Sequence, residues 1–98
     1  PTQTLYLMNS PFVQQQAEAF ARRLLAESGD DAKRIRLAFA MAHARVPSDT
    51  EVSDALAFLT AYRTKLTALE KPPTNDAELA WSGLARVLLT SNAFLYVD

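Results

Sequence analysis

Val46-Pro47-Ser48-Asp49-Thr50-Glu51, running on through Val52 to Leu69, is the stretch that decides the fold. Val46-Pro47 stops any helix that precedes it, because the residue before proline resists helical backbone geometry. Ser48 with Glu51 three positions on has the form of a capping box, in which each residue's side chain satisfies the other's backbone N–H. From there Val52, Leu56 or Ala55, Leu59, Tyr62, Leu66 and Leu69 recur at the spacing of one helix face. One stop followed by one start fixes a helix-turn-helix register, and the reading extends outward in both directions. This third helix is expected to be the longest.

Toward the N-terminus, Asp30 or Asp31 opens a helix whose dipole favours acid at its start. Ile35, Ala38, Phe39 and Ala42 form its apolar stripe, widened by Leu37 and Met41, so this second helix is expected to be central. Before it, Ser10-Pro11 opens a first helix, with Ser10 as cap and proline in the first turn, where no N–H is needed. Val13, Ala17, Phe20 and Leu24 are its buried stripe, and Ser28-Gly29 ends it, Gly29 supplying a left-handed cap. In residues 1–9 the spacing of Leu5, Met8 and Phe12 favours a short leading helix over the alternation of Leu5 and Leu7.

Toward the C-terminus, Lys71-Pro72-Pro73-Thr74 breaks the chain, and Asn75 caps a fourth helix with Asp76 and Glu78 in its first turn. Leu79, Ala80, Leu84, Val87 and Leu88 are its stripe, with Trp81 on a flank. It is expected to end near Ser91-Asn92, leaving Phe94 to Val97 as a short extended tail. The expected architecture is all-α: a compact bundle of four helices over residues 1–98, a single domain cut from a longer protein.

Composition agrees. Of 98 residues, 17 are Ala and 14 are Leu, while Gly is only 2, a balance that favours helix over a turn-rich sandwich. At 49% hydrophobic and 21% charged the chain can bury a core. The absence of Cys excludes disulfides, thiolate metal sites and a cysteine nucleophile. No apolar run reaches the roughly 18 residues a membrane span needs, so no membrane partner is expected.

Few residues suggest chemistry. His43 is the sole histidine, and its sequence neighbours, Ala42, Ala44, Arg45 and, one turn back, Phe39, offer no carboxylate or second ligand. Asp30-Asp31, Asp49-Glu51-Asp54 and Asp76-Glu78 all stand at helix starts, where capping and the dipole account for them. Arg22-Arg23 and Lys33-Arg34-Arg36 form loose basic clusters, read as solvated faces with local pairs Glu18–Arg22, Arg23–Glu27 and Asp30–Arg34. A DNA-reading helix-turn-helix is set aside on charge. Its recognition helix would begin Ser48-Asp49-Thr50-Glu51, with Asp54 one turn on, and present acid to phosphates. No nucleic-acid partner, catalytic residue, metal ligand or cofactor-binding residue is assigned. There is no Gly-rich phosphate loop and no Cys-x-x-Cys-His haem attachment.

Three segments carry a resemblance. Leu5-Tyr6-Leu7-Met8-Asn9-Ser10-Pro11-Phe12-Val13 with Gln16-Ala17 resembles the start of a domain of unknown function abundant in planctomycete bacteria. Arg45-Val46-Pro47 with Glu51 and Ala55-Leu56 resembles its middle turn, and Trp81 through Asp98 resembles its close. The resemblance implies a C-terminal position in large, often exported proteins, commonly with a cytochrome-c-like segment far upstream and a second uncharacterised domain between. It transfers no haem role and no catalytic residue. Two functions follow as expectations. The first is a structural or interaction module that meets the upstream domains of the same protein; its apolar ends, Leu5 and Tyr6 at one and Phe94, Leu95 and Tyr96 at the other, are expected to fold back onto the bundle, the C-terminal tail foremost, or else to self-associate weakly. The second is one wall of an enzymatic site, with polysaccharide breakdown as its chemistry, in which Asn9-Ser10 and Ser91-Asn92 gather with His43.

Overall fold

The computed structural model describes residue 6 and residues 8–97, the side chains of 92–97 excepted. Four helices follow one another: α1 (Pro11–Glu27), α2 (Asp31–His43), α3 (Asp49–Thr67) and α4 (Asp76–Val97). The described residues contain no strand. Ahead of α1, Tyr6 and Met8 are helical and the Asn9 N–H donates to the Tyr6 carbonyl at 3.2 Å. The rest of the expected leading helix, residues 1–5 and 7, lies outside the described residues.

The cross-contacts set the directions. Arg22 of α1 reaches Glu78 of α4, Arg34 of α2 reaches the Leu25 carbonyl of α1, and Arg63 of α3 reaches Asp76 of α4. Each joins the end of one helix to the start of its neighbour, so the helices run up, down, up, down. One end of the bundle therefore gathers the start of α1, the α2–α3 turn and the close of α4. The other gathers the α1–α2 turn, the end of α3 and the start of α4.

The expected caps hold in part. Ser48 accepts from the Glu51 N–H at 3.1 Å and the Glu51 carboxylate accepts from the Ser48 N–H at 2.9 Å, completing the box. Asp30 is the cap of α2, its carboxylate accepting from the Lys33 N–H at 3.1 Å. Ser10 makes no side-chain cap; its carbonyl takes the first helical bond, from Gln14 at 3.0 Å. Gly29 is not left-handed: no glycine has positive φ, and α1 ends instead through extended Ser28, whose hydroxyl accepts from the Asp30 N–H. The left-handed residue is Ala44, φ 55° and ψ 35°, which closes α2 by donating its N–H to the Ala40 carbonyl.

Packing has two central helices where the sequence marked one. The core joins Ala21 and Leu24 of α1, Ile35, Ala38 and Phe39 of α2, Ala55 and Leu59 of α3, and Ala80, Trp81, Leu84 and Leu88 of α4. Both α2, expected to be central, and α4 touch the other three helices, and α4 makes the larger contact with each of α1 and α3. It is also the longest, at 22 residues against 19 for α3. Ala80 through Ala85 are buried without interruption, so α4 shows no solvent face along more than a turn. Four of those six are Ala, Ser or Gly, whose small side chains let neighbours approach from every side. Trp81, expected on a flank, is 2% exposed; enclosing a ring of that size is worth about 4 to 6 kcal/mol. Within α3 the core takes Ala55, while Leu56 faces out and Leu69 lies beyond the helix end. Met41, expected to widen the α2 stripe, is likewise exposed. The backbone of α4 stays helical through Val97, past the expected end at Ser91-Asn92, so the segment expected as an extended tail is its last turn.

Candidate functional site

At the end formed by the α2–α3 turn, Phe39 organises the side chains that sequence had marked. It is buried on the inward face of α2, and its ring meets the His43 ring at a centroid distance of 5.6 Å. On the other flank the Arg45 guanidinium stands 5.5 Å from the Phe39 centroid, within cation–π range. Arg45 in turn grips Glu51 with two parallel hydrogen bonds of 2.7 Å, the fork geometry that makes arginine–carboxylate pairs strong. The same carboxylate closes the Ser48 box. Glu51 is drawn down to about 2, first by the Arg45 hydrogen bonds and then by the Ser48 N–H. His43 thus occupies a packing position at a helix C-terminus.

The up-down topology carries Asn9-Ser10 and Ser91 to this same end, so three of the marked positions and His43 share one pole of the molecule. The side chain of Asn92 lies outside the described residues. Ser91 is exposed and His43 is turned against Phe39.

At the opposite end the structure builds a network that sequence reading missed. Asp31 accepts from the Trp81 indole N–H at 3.0 Å and from Arg34 at 2.9 Å, and Arg34 also donates to the Leu25 carbonyl at 3.3 Å. Three helices are tied through one carboxylate. The pairs Glu18–Arg22 and Asp30–Arg34 expected along single helices are replaced by Arg22–Glu78 and Asp31–Arg34. Beside the network a cleft of about 290 Å³ is lined by Asp31, Leu56, Leu59, Thr60, Arg63, Thr64, Thr67 and Asp76. Arg63 bonds Asp76 at 2.9 Å and holds its carboxyl below the usual range. That shift is opposite to the one a general acid needs. The cleft can hydrogen-bond a polar group through its threonines, but its carboxylates are already committed to cations.

Among the described residues no group of three or more His, Cys, Asp or Glu is placed to hold a metal ion, and no helix is long and apolar enough to cross a membrane. The fold and the two poles define an all-helical bundle whose charged side chains serve largely as caps and ties between helices. The chain belongs to the family described as "PSD1: Protein of unknown function (DUF1553)", which matches residues 1–59. That match takes in the resembling start and middle turn, while the closing segment lies outside it. No curated protein and no solved structure matches the chain.

Proposed function

We propose that this domain is a non-catalytic structural or interaction module standing at the C-terminal end of a larger exported protein, where it meets that protein's upstream domains. The observation that supports this is the pole holding the α1 start and the α2–α3 turn. Tyr6, Phe12 and Val46 are there 75%, 67% and 78% exposed. Single exposed apolar side chains are ordinary, but three large ones at one end of a small domain mark a contact surface. The export route, the periplasmic or extracellular address, the planctomycete origin and the upstream cytochrome-c-like segment are proposed on the resemblance of the opening, middle and closing segments alone. Weak self-association through the apolar ends is proposed as the fallback use of the same surface when the upstream domains are missing.

The test is to add the upstream part of the protein in trans to the isotope-labelled domain and follow its amide resonances. Perturbation centred on Tyr6, Phe12 and Val46, lost in Phe12→Asp and Val46→Asp, is the expected result. Perturbation confined to other faces, or none, overturns the reading.

A second reading is kept because the topology brings Asn9-Ser10, Ser91 and His43 to that same pole: one wall of an enzymatic site completed by upstream domains, with polysaccharide cleavage as its chemistry. Alanine at Ser10, Ser91 and His43 together, with folding unchanged, should then abolish a glycan-cleaving activity of the whole protein. Full retained activity would dismiss it.

A further inference from the structure

The cleft between α1 and α3 has α4 as its floor, and its most distinctive occupant is Arg86. Of the seven arginines, Arg22, Arg34, Arg45 and Arg63 pair with carboxylates. Arg23 and Arg36 extend into solvent. Arg86 does neither. It is half-buried, it makes no ion pair among the described residues, and its Nε is shut away from solvent without an acceptor. A buried donor left unmade costs free energy, more so when it carries charge. Arg34 has a sequestered Nε too, but its terminal nitrogens are satisfied by Asp31 and Leu25. Arg86 lines a pocket of about 150 Å³ with Gln14, Glu18, Tyr62, Leu79 and Ser82. Ser82 is itself 8% exposed, so its hydroxyl belongs to the cleft and not to the outer surface.

We propose that this cleft binds a carboxylate, held by the Arg86 guanidinium with the Ser82 hydroxyl beside it. The guanidinium fork matches a planar carboxylate with two parallel N–H donors. A small rotation of the head group would offer such a ligand the Nε–H that now lacks an acceptor. Size narrows the class. Pockets for whole metabolites run to about 300 Å³ and above, so this one admits a group the size of an acidic side chain or a small free acid. Glu18 stands at the rim, exposed, and forms no ion pair with Arg86. It sets a charge filter that an incoming acid must overcome, and its removal should tighten binding. This site deepens the module reading, since an acidic side chain of a contacting domain is one source of the carboxylate, but binding of a free acid does not depend on that reading.

The test is to titrate the labelled 98-residue chain with sodium acetate against sodium chloride at matched ionic strength, following the Arg86 Nε–Hε resonance. Saturable movement with acetate alone, with a dissociation constant on the order of 10 mM, is expected. Arg86→Gln should remove it, Arg86→Lys should weaken it about tenfold by losing the fork, and Ser82→Ala should weaken it about threefold. Circular dichroism of each variant reports folding. A glutamate blocked at both ends, used as a second probe, separates the sources: comparable binding assigns a side chain, acetate alone a small free acid, and either supports the site. Movement that is linear, or equal with chloride, or retained in Arg86→Gln, overturns the proposal. So does binding that appears only in Glu18→Gln, which would make Glu18 the resident acid. None of these failures bears on the Tyr6, Phe12 and Val46 surface.

Discussion

Exchanging the roles of Gly29 and Ala44 tests the backbone against the most natural reading of the sequence. Glycine after a helix ordinarily means a left-handed cap, yet the left-handed residue here is Ala44, and Gly29 has no positive φ. An L-residue in that region bears about 1 to 2 kcal/mol of steric strain. Glycine relieves it but loses about 0.5 to 1 kcal/mol more backbone entropy on folding. The Ala44 side chain is exposed, so its methyl contributes little packing. Ala44→Gly should therefore stabilise the domain by about 0.5 to 1 kcal/mol, or about 2 to 8 °C in Tm for a chain of this size. Gly29→Ala is the counterpart. A Cβ there meets nothing within 4 Å, so the substitution should stabilise by about 0.4 to 1 kcal/mol through the unfolded chain. Thermal and urea unfolding of the two single variants and the double decide the matter, and the gains should add, since the sites share no partner. Loss of stability in Gly29→Ala, or in Ala44→Gly, would refute the assignment of which loop residue is left-handed.

Three other outcomes are expected. Phe39→Ala should cost about 3 to 5 kcal/mol in urea unfolding, because it empties the core and removes the ring on which His43 and Arg45 rest; a loss below about 1 kcal/mol would show that this face is not core. Gly83→Ala should destabilise by about 1 to 3 kcal/mol despite better helix propensity, because its Cβ would lie 2.7 Å from Cε2 of Tyr62; a gain in stability would mean that the ring moves away freely. Glu51 titrates near 2 when folded and near 4.5 when free, so the stability it lends is present above about pH 4.5 and is lost as pH falls toward 2. Glu51→Gln should flatten that part of the pH–stability curve, and an unchanged slope would show that the Arg45 clasp does not persist in solution.

What the sequence made legible was local. Ser48 with Glu51, Asp30 ahead of Lys33 and the pair Pro72-Pro73 act within one turn of chain, and the structure places a cap or break at each. The apolar stripes were legible for the same reason, since Ala17, Leu24, Ile35, Phe39, Leu59 and Leu84 are set by helical period alone. What failed was anything decided between helices. The choice of Ala55 over Leu56 depends on what lies opposite. Trp81 reads as a flank until Asp31, 50 residues away, is brought to its indole. Arg22 has an acid on its own helix at Glu18 and still selects Glu78. The hub position of α4 was hidden because small residues, Ser82 and Gly83 among them, look like a weak face and are in truth the contact through which Tyr62 approaches. Arg86 gave no signal at all, as nothing adjacent in sequence says that it will lack a partner.

The placement of the hub in α4 has a consequence for how the chain acquires its structure as it is made. The three helices that lean on it are synthesised first, and at about 5 to 20 residues per second the 22 residues of α4 take about 1 to 4 s to follow. Helices form in about a microsecond, so α1, α2 and α3 can coil early, but α1 and α3 then have only their smaller contacts with α2 to close upon. The α1–α4 pairing spans most of the chain, Arg22 to Glu78 being 56 residues apart, and contacts that distant close late. For those seconds Leu24, Ile35, Phe39 and Leu59 stand open to any apolar surface nearby. The domain is thus most vulnerable to aggregation just before its last helix is complete, and truncations within α4 should yield insoluble chains, not smaller bundles.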